Sequence, residues 1–249
     1  MIIMRPILFC GILACSVAAP ADRGVVAERY WHTFSAGHPV LLNVKPGDRI
    51  ITKTVDSAGF DFQGVRRTQT HGNPLTGPFY IESADPGDTL EVRIEKLRLN
   101  RATGYSGYHA GVTGVSELKK PGDGAVYKGY DSLFPWTIDL QQNLVRAGRL
   151  QFAAQPMLGC VGVAPEGDYS PRSGPAGYWG GNLDYNLVRE GATVLLPVFH
   201  PGGLLFFGDG GWTSARTQPW QSIAASRPQF TLRWGACLTQ WVGKWLQVC

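Results

Sequence analysis

Hydrophobic positions along this chain fall in short runs separated by Gly, Pro and Asp, not on a long helical stripe. The clearest run is Thr89-Leu90-Glu91-Val92-Arg93-Ile94, where Leu90, Val92 and Ile94 point one way and Glu91, Arg93 and Glu95 the other. That two-residue period predicts a strand with one wet face. The phase slips by one at Glu95-Lys96, before Leu97 and Leu99, which predicts a β-bulge. Pro86-Gly87-Asp88 precedes this strand, and Pro46-Gly47-Asp48 precedes a similar run over 49–55; in both, the Asp is placed to bond the turn backbone. Further strands are predicted at 150–153, 159–163, 193–199, 203–207 and 229–234. The runs at 193–199 and 203–207 are apolar on both faces, which predicts central, buried strands. Helical spacing is confined to Ile138, Leu140, Leu144 and Val145, which would share one face of a short helix. Residues 100–133 and 165–181 are rich in Gly and read as long loops, of the kind that carry function. The expected fold is mainly β: a β-sandwich of short antiparallel strands with long loops and few helices.

Composition agrees with that picture. The chain has 249 residues, a length that one all-β domain can fill, and 32 Gly with 17 Pro favour turns and strands. Hydrophobic content of 44% is ordinary for a globular chain. The net charge of +4 is spread along the sequence with no run of five Lys or Arg, so no nucleic-acid partner is expected.

The first 21 residues differ from the rest. Arg5 begins a positively charged start, Pro6 to Ala18 is an apolar stretch too short to span a bilayer comfortably, and small residues follow at Ser16, Ala18, Ala19 and Ala21. This order predicts a signal peptide over 1–21 and an exported protein, periplasmic or secreted. A lipoprotein site at Cys15, after Ile12-Leu13-Ala14, is the weaker alternative because Leu13 is not favoured there. Residues 22–249 would then form a single domain, with no integral membrane segment after processing. Cleavage leaves Cys160, Cys237 and Cys249; the odd number requires a free thiol, and a Cys237–Cys249 bridge is open.

Candidate chemistry gathers in two blocks. The first runs from Asn73-Pro74-Leu75-Thr76-Gly77-Pro78 to Glu82; the second is Gly180-Gly181-Asn182-Leu183-Asp184. Pro74 and Pro78 bias their predecessors toward extended geometry, and Gly77 allows a sharp turn. Glu82 would be held at a strand end, as an acid, base or ligand, or else as a surface acid on a tight β-corner. Gly180-Gly181-Asn182 could turn with backbone N–H groups available to an anion, or Asp184 could cap an Asx-type turn. Cys160, flanked by Gly159 and apolar residues with no local base, reads as a buried structural thiol. His32, His38, His71, His109 and His200 show no close metal-ligand spacing, although His200 ends an apolar run. A phosphate loop and a G-x-S-x-G elbow are both missing, so a serine or cysteine hydrolase ranks last.

These blocks resemble the acetamidase/formamidase family over about residues 30 to 210. The resemblance rests on Asn73 through Glu82, Asp85-Pro86-Gly87-Asp88, Met157-Leu158-Gly159-Cys160, Gly180 through Asp184 and Leu196-Pro197-Val198-Phe199, in that order. Pro39-Val40-Leu41 through Asp48 and Thr54-Val55-Asp56 look like the family's first strands. It implies a β-sandwich that hydrolyses small linear amides, such as formamide or acetamide, to acid and ammonia, together with a divalent metal, zinc or calcium. On that footing Asp184 coordinates metal or orients water, Glu82 is base or ligand, and Asp56, His38 and Asn73 are second-rank candidates, with His38 the second metal ligand. A homo-oligomer is open.

The resemblance breaks after Phe207-Gly208-Asp209-Gly210. Family members continue with a His and Gln-Gly-Asp-Gly-Glu, whereas this chain continues Gly211-Trp212-Thr213-Ser214 and carries no His, Asp or Glu from 210 to 249. Five of its eight Trp fall in that tail. A shifted reading frame, a truncated gene or a diverged C-terminus would each produce this, and the altered C-terminus is expected to impair hydrolysis. The alternative function is a non-catalytic β-sandwich that binds a small polar ligand or carbohydrate through Tyr- and Trp-bearing loops.

Overall fold

The computed structural model describes residues 20–70, 72–107, 133–213 and 228–237. Among them the elements are all strands: β1 (Asp22–Gly24), β2 (Leu42–Val44), β3 (Arg49–Lys53), β4 (Leu75–Ile81), β5 (Thr89–Leu99), β6 (Thr103–Gly107), β7 (Leu133–Asp139) and β8 (Leu144–Ala147). The order continues with β9 (Leu150–Ala153), β10 (Gln155–Val163), β11 (Ala176–Gly177), β12 (Gly180–Asn182), β13 (Thr193–Pro197), β14 (Leu205–Thr213) and β15 (Pro228–Cys237). Residues 1–19 of the predicted signal peptide and the far end of the tail lie outside the described residues.

Two sheets make the main body. One has the order β1-β3-β15-β5-β13, the other β11-β12-β10-β14-β4-β2. Pairing is antiparallel except for β1 with β3 and β2 with β4. Ile50, Leu90, Val92 and Ile94 from the first sheet meet Phe79, Ile81, Val161, Leu205 and Phe207 from the second in one buried core. Phe79 stacks on Phe207 with centroids 5.1 Å apart. This is sheet-on-sheet packing, so the expected β-sandwich is correct. A third sheet, β6-β7-β8-β9, has a small core of its own around Trp136, Ile138 and Val145.

The long strand β5 behaves as its pattern predicts. Leu90, Val92, Ile94, Leu97 and Leu99 are buried, and the register with β15 jumps from Ile94↔Leu232 to Lys96↔Thr231, leaving Glu95 as the extra residue of a bulge. The two turn aspartates also act as expected. Asp48 accepts the N–H groups of Ala21 and Lys45, and Asp88 accepts that of Asp85.

Other expectations change. The short helix at 138–145 is instead a hairpin of β7 and β8, because Asp139 Oδ1 accepts the N–H groups of Gln141 and Gln142 and Asn143 takes a φ of 52°. The run at 193–199 is not central: β13 forms the border of its sheet and Leu195 is 53% exposed. Period alone could not separate a buried strand from an apolar border strand. By contrast β14, covering the 203–207 run, lies between β10 and β4 with Leu205, Phe206 and Phe207 fully buried. Leu75–Ile81 form strand β4 where a β-corner was open. Gly77 there has φ 135° and lies so near β14 that a Cβ would stand 2.6 Å from the Leu205 carbonyl oxygen.

A buried acid cluster as candidate active site

The centre of the second sheet positions the site. In β14 Asp209 lies across from Gly159 of β10, between the pairs Cys160↔Gly208 and Leu158↔Gly210. It takes a left-handed φ of 48°, a conformation that Asp tolerates better than most residues. Gly159 leaves the room: a Cβ there would stand 2.7 Å from Asp209 Oδ2. Asp184 follows β12, which pairs with β10 so that Asn182 opposes Cys160. Its N–H donates to the Gly159 carbonyl at 3.1 Å, tying it to the same point of β10 as Asp209. Gly180-Gly181-Asn182 is therefore a strand hemmed in on both sides by β10 and β11, not an open turn of available N–H groups.

Asp56 approaches from the loop after β3 and is fully buried. Its Oδ1 accepts the N–H groups of Ala58 and Phe60, and its Oδ2 pairs with Arg101 Nη2 at 2.8 Å. Tyr105 of β6 reaches the same loop: its hydroxyl shares a hydrogen bond with Ser57 Oγ and accepts the Ala58 N–H. Asn73, at the start of β4 with φ 51°, hydrogen-bonds the Cys160 thiol, and its own N–H donates to the Ser57 carbonyl.

These acids feel one another. Burial, then the negative charges of Asp184 and Asp56, push Asp209 up to about 8, so it is largely protonated at neutral pH. Burial and the charges of Asp209 and Asp184 push the Cys160 thiol well up, against a smaller opposing effect of Asn73. Burial and the Asp56 charge also raise the Tyr105 phenol. The site thus gathers a carboxyl that keeps its proton, two further carboxyls and a neutral thiol in one low-dielectric cluster.

Of the residues the sequence nominated, Asp184, Asp56 and Asn73 meet here. Glu82 does not. It follows the last residue of β4 while Asn73 precedes the first, so about 20 Å of strand separates it from the cluster. There its N–H donates to the Val44 carbonyl and its side chain is partly exposed. His38 also lies apart: its Nε2 is 2.7 Å from Thr33 Oγ1, and its ring stacks on Trp31 at 3.9 Å. Asp209 was not nominated, although an acid flanked by Gly208 and Gly210 straight after a buried apolar run was a visible signal. A divalent metal does not fit the described donors. Among the described residues no three His, Cys, Asp or Glu side chains are grouped to hold one, and the oxygens of Asp56 are taken by Arg101, Ala58 and Phe60.

Solved structures share this architecture. A predicted acetamidase/formamidase from Thermoanaerobacter tengcongensis matches with a TM-score of 0.70 at 26% identity, covering 89% of this chain and 71% of that one. An acetamidase from Bacillus halodurans matches at 0.63 and 25%, covering 86% and 70%. A gamma lactamase from Delftia acidovorans shares the fold at 0.63 and 16% identity, covering 84% and 64%. No curated protein matches the chain. The model of the Acetamidase/Formamidase family matches residues 21–172, more than half of the sequence and inclusive of Asp56, Asn73 and Cys160, so the chain belongs to the acetamidase/formamidase family.

Proposed function

We propose that the protein hydrolyses short linear amides to a carboxylic acid and ammonia, with Asp184 as base and Asp209 as acid. The observation that carries this reading is the placing of two carboxyls together, Asp184 and Asp209, with Asp209 pushed up to about 8 by burial and by the charge of Asp184. Amide hydrolysis needs both states at once, a base for the attacking water and an acid for the departing nitrogen. In the proposed cycle the Asp184 carboxylate takes a proton from water as its oxygen bonds to the carbonyl carbon. Asp209 then protonates the amide nitrogen, the C–N bond breaks and ammonia leaves. The proton that Asp184 took from water then passes to Asp209, which restores both groups and leaves the carboxylic acid as product. The small substrate follows from the family, whose name denotes acetamide and formamide.

The tail bears on the rate. The His and the Gln-Gly-Asp-Gly-Glu that the resemblance expects after Asp209 are absent from this sequence, and turnover should be lower than that of relatives carrying them. Ammonia release from formamide and acetamide tests the reading. Activity is expected in the wild type and should fall about 10²–10⁴-fold in both Asp184→Asn and Asp209→Asn. Rate should also decline as pH rises through about 8, where Asp209 loses its proton. No release by the full chain on either amide would reject the proposal.

A further inference from the structure

Cys160 Sγ lies 3.0 Å from Asn182 Oδ1, and Asn182 Nδ2 lies 3.0 Å from Asp184 Oδ2. The direction of these bonds follows from chemistry. The amide turns its NH₂ toward Asp184, whose Oδ2 accepts. Its carbonyl oxygen then faces Cys160, which must donate S–H. The amide of Asn73 completes the line by hydrogen-bonding the sulfur from the other side. A second acceptor for the thiol, the Ser173 carbonyl, lies farther away at 3.5 Å. Full burial of Cys160 and its raised ionisation keep the proton on sulfur.

We propose that Asn182 is a positioning residue for Asp184, locked in a single amide orientation by the Cys160 thiol, and that Cys160 acts as a donor and not as a nucleophile. The line Asn73 to Cys160 to Asn182 to Asp184 joins the two sequence blocks that lie about a hundred residues apart, through the paired strands β10 and β12 of one sheet. It accounts for a cysteine in a site that needs no thiolate: a small donor fits between strands where β10 and β12 pair. Where catalysis is concerned, the proposal rests on the reading of Asp184 as base.

Two measurements test it. In kinetics, Asn182→Leu should lower kcat about ten- to a hundred-fold with KM nearly unchanged, the loss expected for one hydrogen bond to a charged group. Asn182→Ala serves if the leucine variant does not fold. Cys160→Ser keeps a donor and should stay within about three-fold of wild type, whereas Cys160→Ala should follow the Asn182 variants. Equal inactivity of Cys160→Ser and Cys160→Ala, with a covalent acyl adduct on Cys160 in the wild type, would overturn it. The other measurement needs no turnover. The infrared S–H band of Cys160, isolated as wild type minus Cys160→Ser, should be red-shifted in the wild type. It should move to higher wavenumber in Asn182→Ala as the thiol is left with its longer contact to Ser173. An unchanged band overturns the proposal even in an active enzyme. A moving band in a protein with no amide turnover sustains the relay and rejects only the amidase reading.

Discussion

Asp209 is a residue whose behaviour comes from what surrounds it. Its neighbours in sequence are glycines, and its two charged influences, Asp184 and Asp56, lie 25 and 153 positions away by subtraction of their numbers. Gly159 is the steric partner of that arrangement. A methyl group there would stand 2.7 Å from Asp209 Oδ2 and 2.9 Å from its carbonyl oxygen, with strand backbone behind both. Gly159→Ala should therefore cost ~1–3 kcal/mol in a denaturant titration and reduce amide turnover, since it displaces the acid it touches. Gly174→Ala is the matched control, with nothing within 4 Å of its would-be Cβ, and should change neither. This residue scale was the least legible in the sequence. Asp184, Asp56 and Asn73 stood out because Gly, Pro and Asn punctuate their surroundings, and turn chemistry is local. Glu82 stood out by the same signal, and the strand that links it to Asn73 carries it away from the acid cluster. Asp209 gains its character from burial among distant acids, which no local pattern records.

Elements were more legible where one face is wet. The alternation of β5, including its bulge, appears as predicted, as do the turns closed by Asp48 and Asp88. Apolar runs were ambiguous, and β13 and β14 resolve that ambiguity in opposite ways. The loop after β3 shows how an element supports the site. Asp56 and Asp61 each fold a short turn by accepting backbone N–H groups, and each pairs with an arginine, Asp56 with Arg101 and Asp61 with Arg67. Arg101 also donates to the Asp61 carbonyl, so one guanidinium spans the loop. The Asp56–Arg101 pair is buried on both sides, with exposures of 0% and 12%, and removing one partner strands a charge. Arg101→Leu is expected to cost about 3–5 kcal/mol and to open residues 56–68 to limited proteolysis. The exposed pair of Arg98 and Glu190 makes the contrast, and Arg98→Leu should cost under about 1 kcal/mol. Equal losses in the two variants would mean that burial does not set the difference. The tail supplies an element too: β15 stands between β3 and β5, so ending the chain at residue 213 strips a central strand from the five-stranded sheet. That truncation should yield insoluble chain, read from the soluble fraction on expression.

For the molecule as a whole, the acid cluster sets a conflict between function and stability that pH exposes. The Asp209 carboxyl has an ordinary value of 3.8 and about 8 in the fold. Between those values the folded chain holds a proton that the unfolded chain has released, so stability falls as pH rises across the window and levels off above it. On the acid side other groups act in the opposite sense, among them the exposed Glu190, held low by Arg98. Asp48 is pushed up by burial but held low on balance by the Lys45 and Ala21 N–H groups and Arg23, and its contribution is lost as pH falls through its lowered value. His38 is lowered chiefly by burial, which makes acidification below 6.5 costly to the fold. Stability should therefore peak on the acid side of neutrality and decline toward pH 9. The decline can be assigned, because Asn is the near-isostere of a protonated Asp and also accepts the left-handed backbone of position 209. Asp209→Asn should exceed the wild type by only about 1–2 kcal/mol near pH 5, where the unfolded wild type has already released its proton, and by several kcal/mol near pH 9 in a denaturant titration. The same variant should be among those that lose most amide turnover, so the chain would be more stable without the group the proposed reaction uses, as expected of a site that keeps like charges together. If the wild type and Asp209→Asn instead lose stability in parallel from pH 5 to 9, the decline belongs to other groups and Asp209 is ionised throughout, which would also remove the acid from the proposed reaction.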